Sequence, residues 1–567
     1  MLRKAEALGM RIAVCALLIG HALLVVLTAW RCSPTRDEPA HLAAGISHWR
    51  FGDFSLYRVN PPLVRMLAAL PVLLAGADED WSAFSDRRLA RAEFPVGSAL
   101  VAANGPRSAW LVFLARLACL PFSLIGAGVC FRWAREMHGG APAGLMALAL
   151  WCFCPIVLGH AALLTPDVAA ASLGAAACYL FWRWLKKPAW GAALAAGGAM
   201  GLAELTKFTW LVLFVVWPLA AAVWLWTSPR GGAAEGTDLR VSSDTVGRTR
   251  WAMPTLQLVT MFLLAAYVIN FGYAFQATGA PLGDYRFVSQ AFKGPSLGGD
   301  AQLYSRHNRF AGTWLGSFRV PMPRDYLLGI DVQRRDFEGR IPTFYHGAWR
   351  EAAPWYAYFY ALAIKLPLGT LGLMALATFL TIWHRGVGCL NRNELALLGP
   401  AATVLIVACA CTGLGSQVRY VLPALPFIFV WTGQSASSMF RERRSLRWLG
   451  AGVLLWSAVA TLANHPCHLA YFNELSSVPS AAPPPLLDSN LDWGQDLLYL
   501  RDWSKANPGA RPLYLAYYGS FDPADVGIDA APAEIRRQGK SRATRPAPGW
   551  YAISIGRLWD RSDTLAY

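Results

Sequence analysis

Arg36–Pro71 reads RDEPAHLAAGISHWRFGDFSLYRVNPPLVRMLAALP and follows the first long apolar run of the chain. Two adjacent carboxylates, Asp37 and Glu38, therefore stand a few residues from the point where an apolar helix ends. A charge at the centre of a bilayer costs roughly 2.5–3.5 kcal/mol on insertion scales. Carboxylates at such a boundary should face protein, water or a substrate rather than lipid.

Composition explains the boundary. Of 567 residues, 55% are hydrophobic and 15% charged, against roughly 25% charged in a soluble globular protein. The mean hydropathy is +0.33. The charge deficit comes from runs of apolar residues long enough to span a membrane. The fold class is a polytopic α-helical membrane protein. About eleven transmembrane helices are expected, near residues 11–30, 107–131, 141–161, 168–186, 189–206, 208–227, 252–273, 355–382, 395–412, 420–437 and 448–463. The first run ends in LTAWRCS, which lacks a small-x-small cleavage pattern, so it reads as an uncleaved helix.

The formal charge of +16 does not point to nucleic acid. Its Lys and Arg collect in short connections such as RWAREMHGG, RWLKKP and FRERRSLRW, while the alternate turns HAALLTPD and GLGSQVRY are nearly free of them. That alternation is the positive-inside pattern. It predicts a cytoplasmic N-terminus and, with an odd number of crossings, an extracytoplasmic C-terminus in the plasma (inner) membrane. Two units follow: a transmembrane unit, 1–463, and a C-terminal extracytoplasmic α/β unit, 464–567. The first carries outer loops 31–106 and 274–354 and a cytoplasmic linker, 228–250. In the tail, PLLDS, PLYLAYYG and GWYAISI read as strands, and NLDWGQDLLYLRDWSKA as an amphipathic helix.

The chemistry-bearing residues lie at the outer ends of apolar runs. Asp37, before Pro39, has the position of a helix N-cap, and so does Asp167 in HAALLTPDVAA. Together, however, the two acidic turns could line one cavity at the membrane surface. Arg65, Lys207, Lys365 and Arg419 stand where the positive-inside rule does not place cations. Each alone could snorkel; four near one leaflet suit an anionic headgroup, such as a phosphate. His41, one helical turn beyond Asp37, is placed to hydrogen-bond to it. Asp492 and Gln495 have capping-box spacing, while Asp492 and Trp493 could also contact a sugar or an acceptor. The eleven cysteines show no zinc-site spacing, and Cys32 and Cys467 could meet outside the membrane.

DEPAHLAAGISHWRFGDF…NPPLVRMLAALP, the H…TPD turn at His160–Asp167, GLAELTKF, FYALAIKLPLGTL, VRYVLPALP and DSNLDWGQDL together resemble the lipid-carrier-dependent glycosyltransferases of the GT-C fold. The similarity is to the protein O-mannosyltransferase-like family 39 group, which includes relatives of the lipid A aminoarabinose transferase. Asn60 and Arg65 stand where that family commonly has His and Lys. The resemblance implies an inverting transfer of sugar from a polyprenyl-phosphate carrier to an extracytoplasmic protein, lipid or glycan acceptor. It implies Asp37 and Asp167 as catalytic, with Glu38, His41, Arg65, Lys207 and Arg419 binding the lipid phosphate or substrate. A carboxylate base can take the proton of an attacking hydroxyl, and cations can stabilise the leaving phosphate without a metal. For Asp167, orienting the acceptor, holding a divalent cation and positioning a cation all remain open. A transporter is the alternative reading, but its site should lie near the bilayer midplane. A non-catalytic lipid-binding subunit of an envelope glycan assembly is another.

Overall fold

The computed structural model describes residues 2–84, 91–227, 243–294, 308–339, 342–385, 391–410, 415, 417–437, 444–476, 483–533 and 547–559. The expected linker 228–250 lies outside these residues as far as 242; its remainder begins a helix.

Helices lie within each apolar run expected to cross the membrane. α1 (Leu2–Arg31) is followed by three short helices, α2 (Glu38–Phe51), α3 (Leu63–Leu74) and α4 (Glu93–Asn104). Next come α5 (Ser108–His138), α6 (Ala141–Cys152), α7 (Pro155–Ala161), α8 (Asp167–Lys186) and α9 (Trp190–Glu204). α10 (Leu213–Thr227) and α11 (Ser243–Gly272) precede an amphipathic helix, α12 (Arg324–Glu338). The rest of the bundle is α13 (Ala357–Lys365), α14 (Leu368–Arg385), α15 (Arg392–Ala410), α16 (Leu425–Thr432) and α17 (Arg444–Ala463).

Proline breaks two of the expected spans, because it lacks the amide that would continue the ladder. Pro155 separates α6 from α7 with a 58° bend, and Pro367 precedes α14, which leaves α13 at 117°. Among the described residues, six helices are long and apolar enough to cross a membrane, or up to eight if each bent pair is one span. The protein is a multi-pass membrane protein.

The three large segments set apart by the charge pattern meet one another at one end of the bundle. Arg58 pairs with Asp325 at 2.6 Å and Arg91 with Asp336 at 2.7 Å, joining the 31–106 segment to α12. Ser33 N donates to Gln495 O at 2.9 Å, and His346 N to Pro485 O at 2.8 Å, joining the tail to both.

The tail is mixed α/β, with differences of detail. β1 (Thr343–Tyr345) and β2 (Ala348–Arg350) form a hairpin in the 274–354 segment. In the tail, β3 (Leu513–Ala516) lies between β4 (Ala531–Pro532) and β5 (Trp550–Ile553) and is parallel to both. PLLDS is not a strand: Leu486 makes one bridge to Tyr345, and Asp488–Asn490 turns as a 3-10 helix. The amphipathic helix is shorter than its pattern, with α18 covering Leu497–Ala506. The capping box is not formed either. Gln495 Oε1 accepts from Trp493 N and Asp492 Oδ1 from Gly494 N, so both side chains brace the turn that stops the helix from starting earlier.

Candidate active site

Asp37 and Glu38, adjacent in sequence, have separate fates. Glu38 is completely buried and its two carboxylate oxygens accept five hydrogen bonds. Arg116 Nε and Nη2 donate at 2.7 Å each, Thr35 N and Oγ1 at 2.7 and 3.0 Å, and Leu164 N at 2.8 Å. Arg116 also donates to the carbonyls of Ala29, Cys32 and Ser33. The pair ties the end of α1 to α5 and to the turn before α8. Contrary to the sequence expectation, Glu38 has no lone pair to offer a substrate; it is a counter-ion within the fold.

Asp37 stands at the N-cap position of α2, but its side chain makes no capping bond. Among the described residues, the hydrogen-bonding partner of its carboxylate is Arg419, whose Nη1 lies 3.4 Å from Oδ2. Burial pushes the Asp37 carboxyl above its ordinary pKa, and Arg419 works against that shift. Asp167 repeats the design. It begins α8, yet its Oδ1 takes Lys207 Nζ at 2.6 Å rather than capping the helix. Its Oδ2 is buried with no partner among the described residues, as are His160 Nδ1 and Thr165 Oγ1 of the same turn.

Arg65 is the third cation. Its guanidinium lies over the Tyr57 ring at 4.6 Å, Nη2 donates to Pro61 O at 3.3 Å, and Nη1 is buried with no partner among the described residues. Burial lowers its pKa to about 10, which leaves it charged at neutral pH. Gly45 of α2 permits this placement, since a Cβ there would stand 2.2 Å from Arg65 O. His41 does not use its ring on Asp37; the ring stacks on Tyr57 at 4.8 Å, and its backbone amide bonds to Asp37 O. Burial, and next the Arg65 charge, hold this imidazole well below its ordinary pKa. Asp167, Arg419 and Lys207 also act on it, so charges from separate parts of the chain converge around His41.

Lys365 is not part of that group. Its ammonium is buried and donates to Leu469 O at 2.7 Å and Asn490 O at 2.5 Å, which anchors the tail. Trp493 is buried beneath Arg419, 4.3 Å from the guanidinium, and Asp492 faces its own turn; neither is open to a sugar. Cys32 and Cys467 are both free. Among the described residues, no group of three His, Cys, Asp or Glu side chains converges where a divalent ion could sit.

An apolar cavity of about 350 Å³ reaches this site. Lys207 and Tyr420 stand on its lining, with Phe208, Leu211, Val404 and Ala408 from the bundle and Ile330 and Phe337 from α12. Lys207 Nζ also lies 5.1 Å from the centre of the Tyr420 ring. The cavity thus joins a fixed cation to an apolar slot. Tyr420 and Gln417 carried no sequence signal of their own. Arg116 did carry one, as an unexplained charge in the middle of the apolar run WLVFLARLACL.

Residues 108–232 match the family model for dolichyl-phosphate-mannose-protein mannosyltransferase, a family of glycosyltransferases. The match covers Asp167 and Lys207. No curated protein matches the chain. Among solved structures, the chain is similar to ArnT from Cupriavidus metallidurans in the apo state, with a TM-score of 0.44 and 15% identity over 83% of this chain and 66% of that one. The same protein bound to undecaprenyl phosphate gives 0.44 and 14% over 83% and 67%. The chain thus spans about two thirds of the length of that protein.

Proposed function

We propose that the protein is an inverting glycosyltransferase that moves a sugar from a polyprenyl-phosphate carrier to an acceptor hydroxyl at the outer leaflet of the plasma membrane. The observation that carries this reading is the apolar cavity lined by Lys207, which pairs with Asp167, and by Tyr420, which neighbours Arg419, the cation that loosely holds Asp37. The apolar lining suits the start of a lipid tail, and the carrier's phosphate would meet Lys207 at its mouth, with Arg419 and the Nη1 of Arg65 as further cations. A buried guanidinium with no carboxylate bonded to it is costly, so an anionic ligand supplies what the site lacks.

In this reading Asp37 accepts the proton of the acceptor hydroxyl as oxygen attacks the anomeric carbon. The bond from that carbon to the carrier phosphate breaks, and the cations hold the charge that develops on the leaving oxygen. Asp167 keeps Lys207 in place with Oδ1, and its Oδ2, with His160 and Thr165 of the same turn, would take sugar hydroxyls. The family match over 108–232 supports the reaction class. The location of the sites at the loop end supports an outward-facing cavity, with the N-terminus cytoplasmic and the C-terminus extracytoplasmic.

The test is a transfer assay with purified protein in lipid and a panel of polyprenyl-phosphate sugars, comparing wild type with Asp37→Asn. Turnover of one donor by wild type, with binding but no turnover by the variant, is the expected result. Equal turnover by both would move the base away from Asp37.

A further inference from the structure

We propose that the tail segment Asp488–Trp493, through Gln417, is a positioning element of the active site that holds Arg419 close to Asp37 without letting it close on the carboxylate. The proposal rests on Asp37 being the base of the reaction above.

The geometry is a chain of contacts. Asp488 Oδ2 accepts from Gln417 Nε2, and Gln417 Oε1 accepts from Arg419 Nε at 2.7 Å. A carboxylate only accepts and a guanidinium only donates, so the orientation of the Gln417 amide between them is fixed. The Trp493 ring covers one face of the same guanidinium at 4.3 Å. One edge and one face of Arg419 are therefore taken by the tail and its relay. What it presents to Asp37 is Nη1 alone, at 3.4 Å.

An unrestrained arginine beside a carboxylate favours two parallel bonds at about 2.7–2.9 Å. That arrangement would occupy the lone pairs which must receive the acceptor's proton, and a base so engaged is weaker. The tether prevents it while leaving the positive charge near enough for the phosphate.

The segment is built to be stiff. Asp488 has a positive φ of 59°, and its carbonyl accepts from Leu491 N at 2.8 Å and Asp492 N at 3.1 Å. Asn490 Oδ1 accepts from Val418 N at 2.9 Å, and Asn490 O accepts from Lys365. Trp493 packs with Leu163, Leu469 and Tyr518, and its carbonyl accepts from Arg36 N at 3.1 Å, one residue before Asp37. Both ends of the Asp37–Arg419 pair are thus fastened to the same six residues.

The experiment is the pH profile of kcat for Asp488→Asn and Gln417→Leu in the full chain, with wild type and Asp37→Asn run alongside. Releasing Arg419 lets it close on Asp37 and stabilises the carboxylate; since the charges of Asp488 and Arg36 also act on Asp37 directly, Gln417→Leu, which alters neither, is the deciding variant. The acid limb should move to lower pH by about one unit, kcat should fall about tenfold, and the KM for the donor should stay the same. Trp493→Leu should act likewise, and Trp493→Phe, which keeps a ring face, should restore the wild-type profile. An acid limb that stays in place, or moves up, in variants that have lost turnover would overturn the proposal and leave the tail a scaffold. Turnover by Asp37→Asn would instead remove the reading it rests on.

Discussion

Neighbouring carboxylates with opposite roles make the sharpest test of the site. Glu38→Gln removes the charge from the centre of five hydrogen bonds and leaves Arg116, itself almost completely buried, without a counter-ion. Breaking a buried pair from one side costs roughly 3–5 kcal/mol. Asp37→Asn loses one long contact, 3.4 Å, between side chains that are 17% and 14% exposed, and Arg419 keeps its bond to Gln417 Oε1 and the Trp493 ring. The cost of this substitution falls on the reaction: loss of a general base lowers the rate about 10²–10⁴-fold, or roughly 3–5 kcal/mol of barrier. Apparent melting in detergent and donor turnover in lipid separate the two. Glu38→Gln should melt several degrees lower, and the double variant Glu38→Gln with Arg116→Met should recover part of the loss, because no charge is then left alone. Asp37→Asn should melt like wild type and fail to turn over. If Glu38→Gln melts like wild type yet is inactive, Glu38 acts on substrate and the division drawn between the two residues is wrong.

Arg65→Met removes a buried cation that no carboxylate is bonded to, so melting should hold or rise slightly, while the stabilisation given by added polyprenyl phosphate in a thermal shift should largely disappear. Ala408→Trp narrows the apolar slot; the KM for long-chain carriers should rise about tenfold or more while short-chain analogues are used as before, measured with matched donors of two lengths. Gly45→Ala forces a Cβ to within 2.2 Å of Arg65 O. It should separate α2 from α3 and lower apparent melting by an amount corresponding to about 1–3 kcal/mol, with turnover falling in step.

Much of this was legible in the chain because membrane helices announce themselves. The apolar runs contain helices because a backbone in lipid must satisfy its own hydrogen bonds, and Pro155 and Pro367 explain where two runs bend. Asp37, Asp167, Lys207 and Arg419 stood out because each is a charge at a boundary where charge is costly. Which cation met which carboxylate was not legible, since Asp37 and Arg419 are 382 residues apart in sequence and nothing local couples them. The same holds for Glu38: its adjacency to Asp37 suggested a shared role, and only Arg116, from the first third of α5, reveals the difference. In the tail, the helical period of NLDWGQDLLYL was overridden by tertiary bonds. Ser33 Oγ donates to Gly494 O and accepts from Leu497 N, both at 2.9 Å, which holds residues 491–496 as a loop. Helical propensity amounts to fractions of a kcal/mol per residue and gives way to such contacts.

The two carboxylate–cation pairs of the site differ in a way that separates their tasks. Asp167 and Lys207 meet at 2.6 Å with side chains 3% and 13% exposed, whereas Asp37 and Arg419 stand 3.4 Å apart and slightly more open. A carboxylate in a short, dry ion pair is held in its charged form and is a poor proton acceptor, because taking a proton would break the pair and strand the cation. Asp167 therefore suits a fixed charge that steadies Lys207 at the cavity mouth. Asp37 keeps a nearby cation but not a tight one, and burial already favours its protonated form. A residue in that state can take a proton at moderate pH and give it up again, as a base must. Turnover should accordingly fall on the acid side at a pH above the ordinary aspartate range, and Asp167→Asn should damage carrier affinity through Lys207 more than it moves that limb.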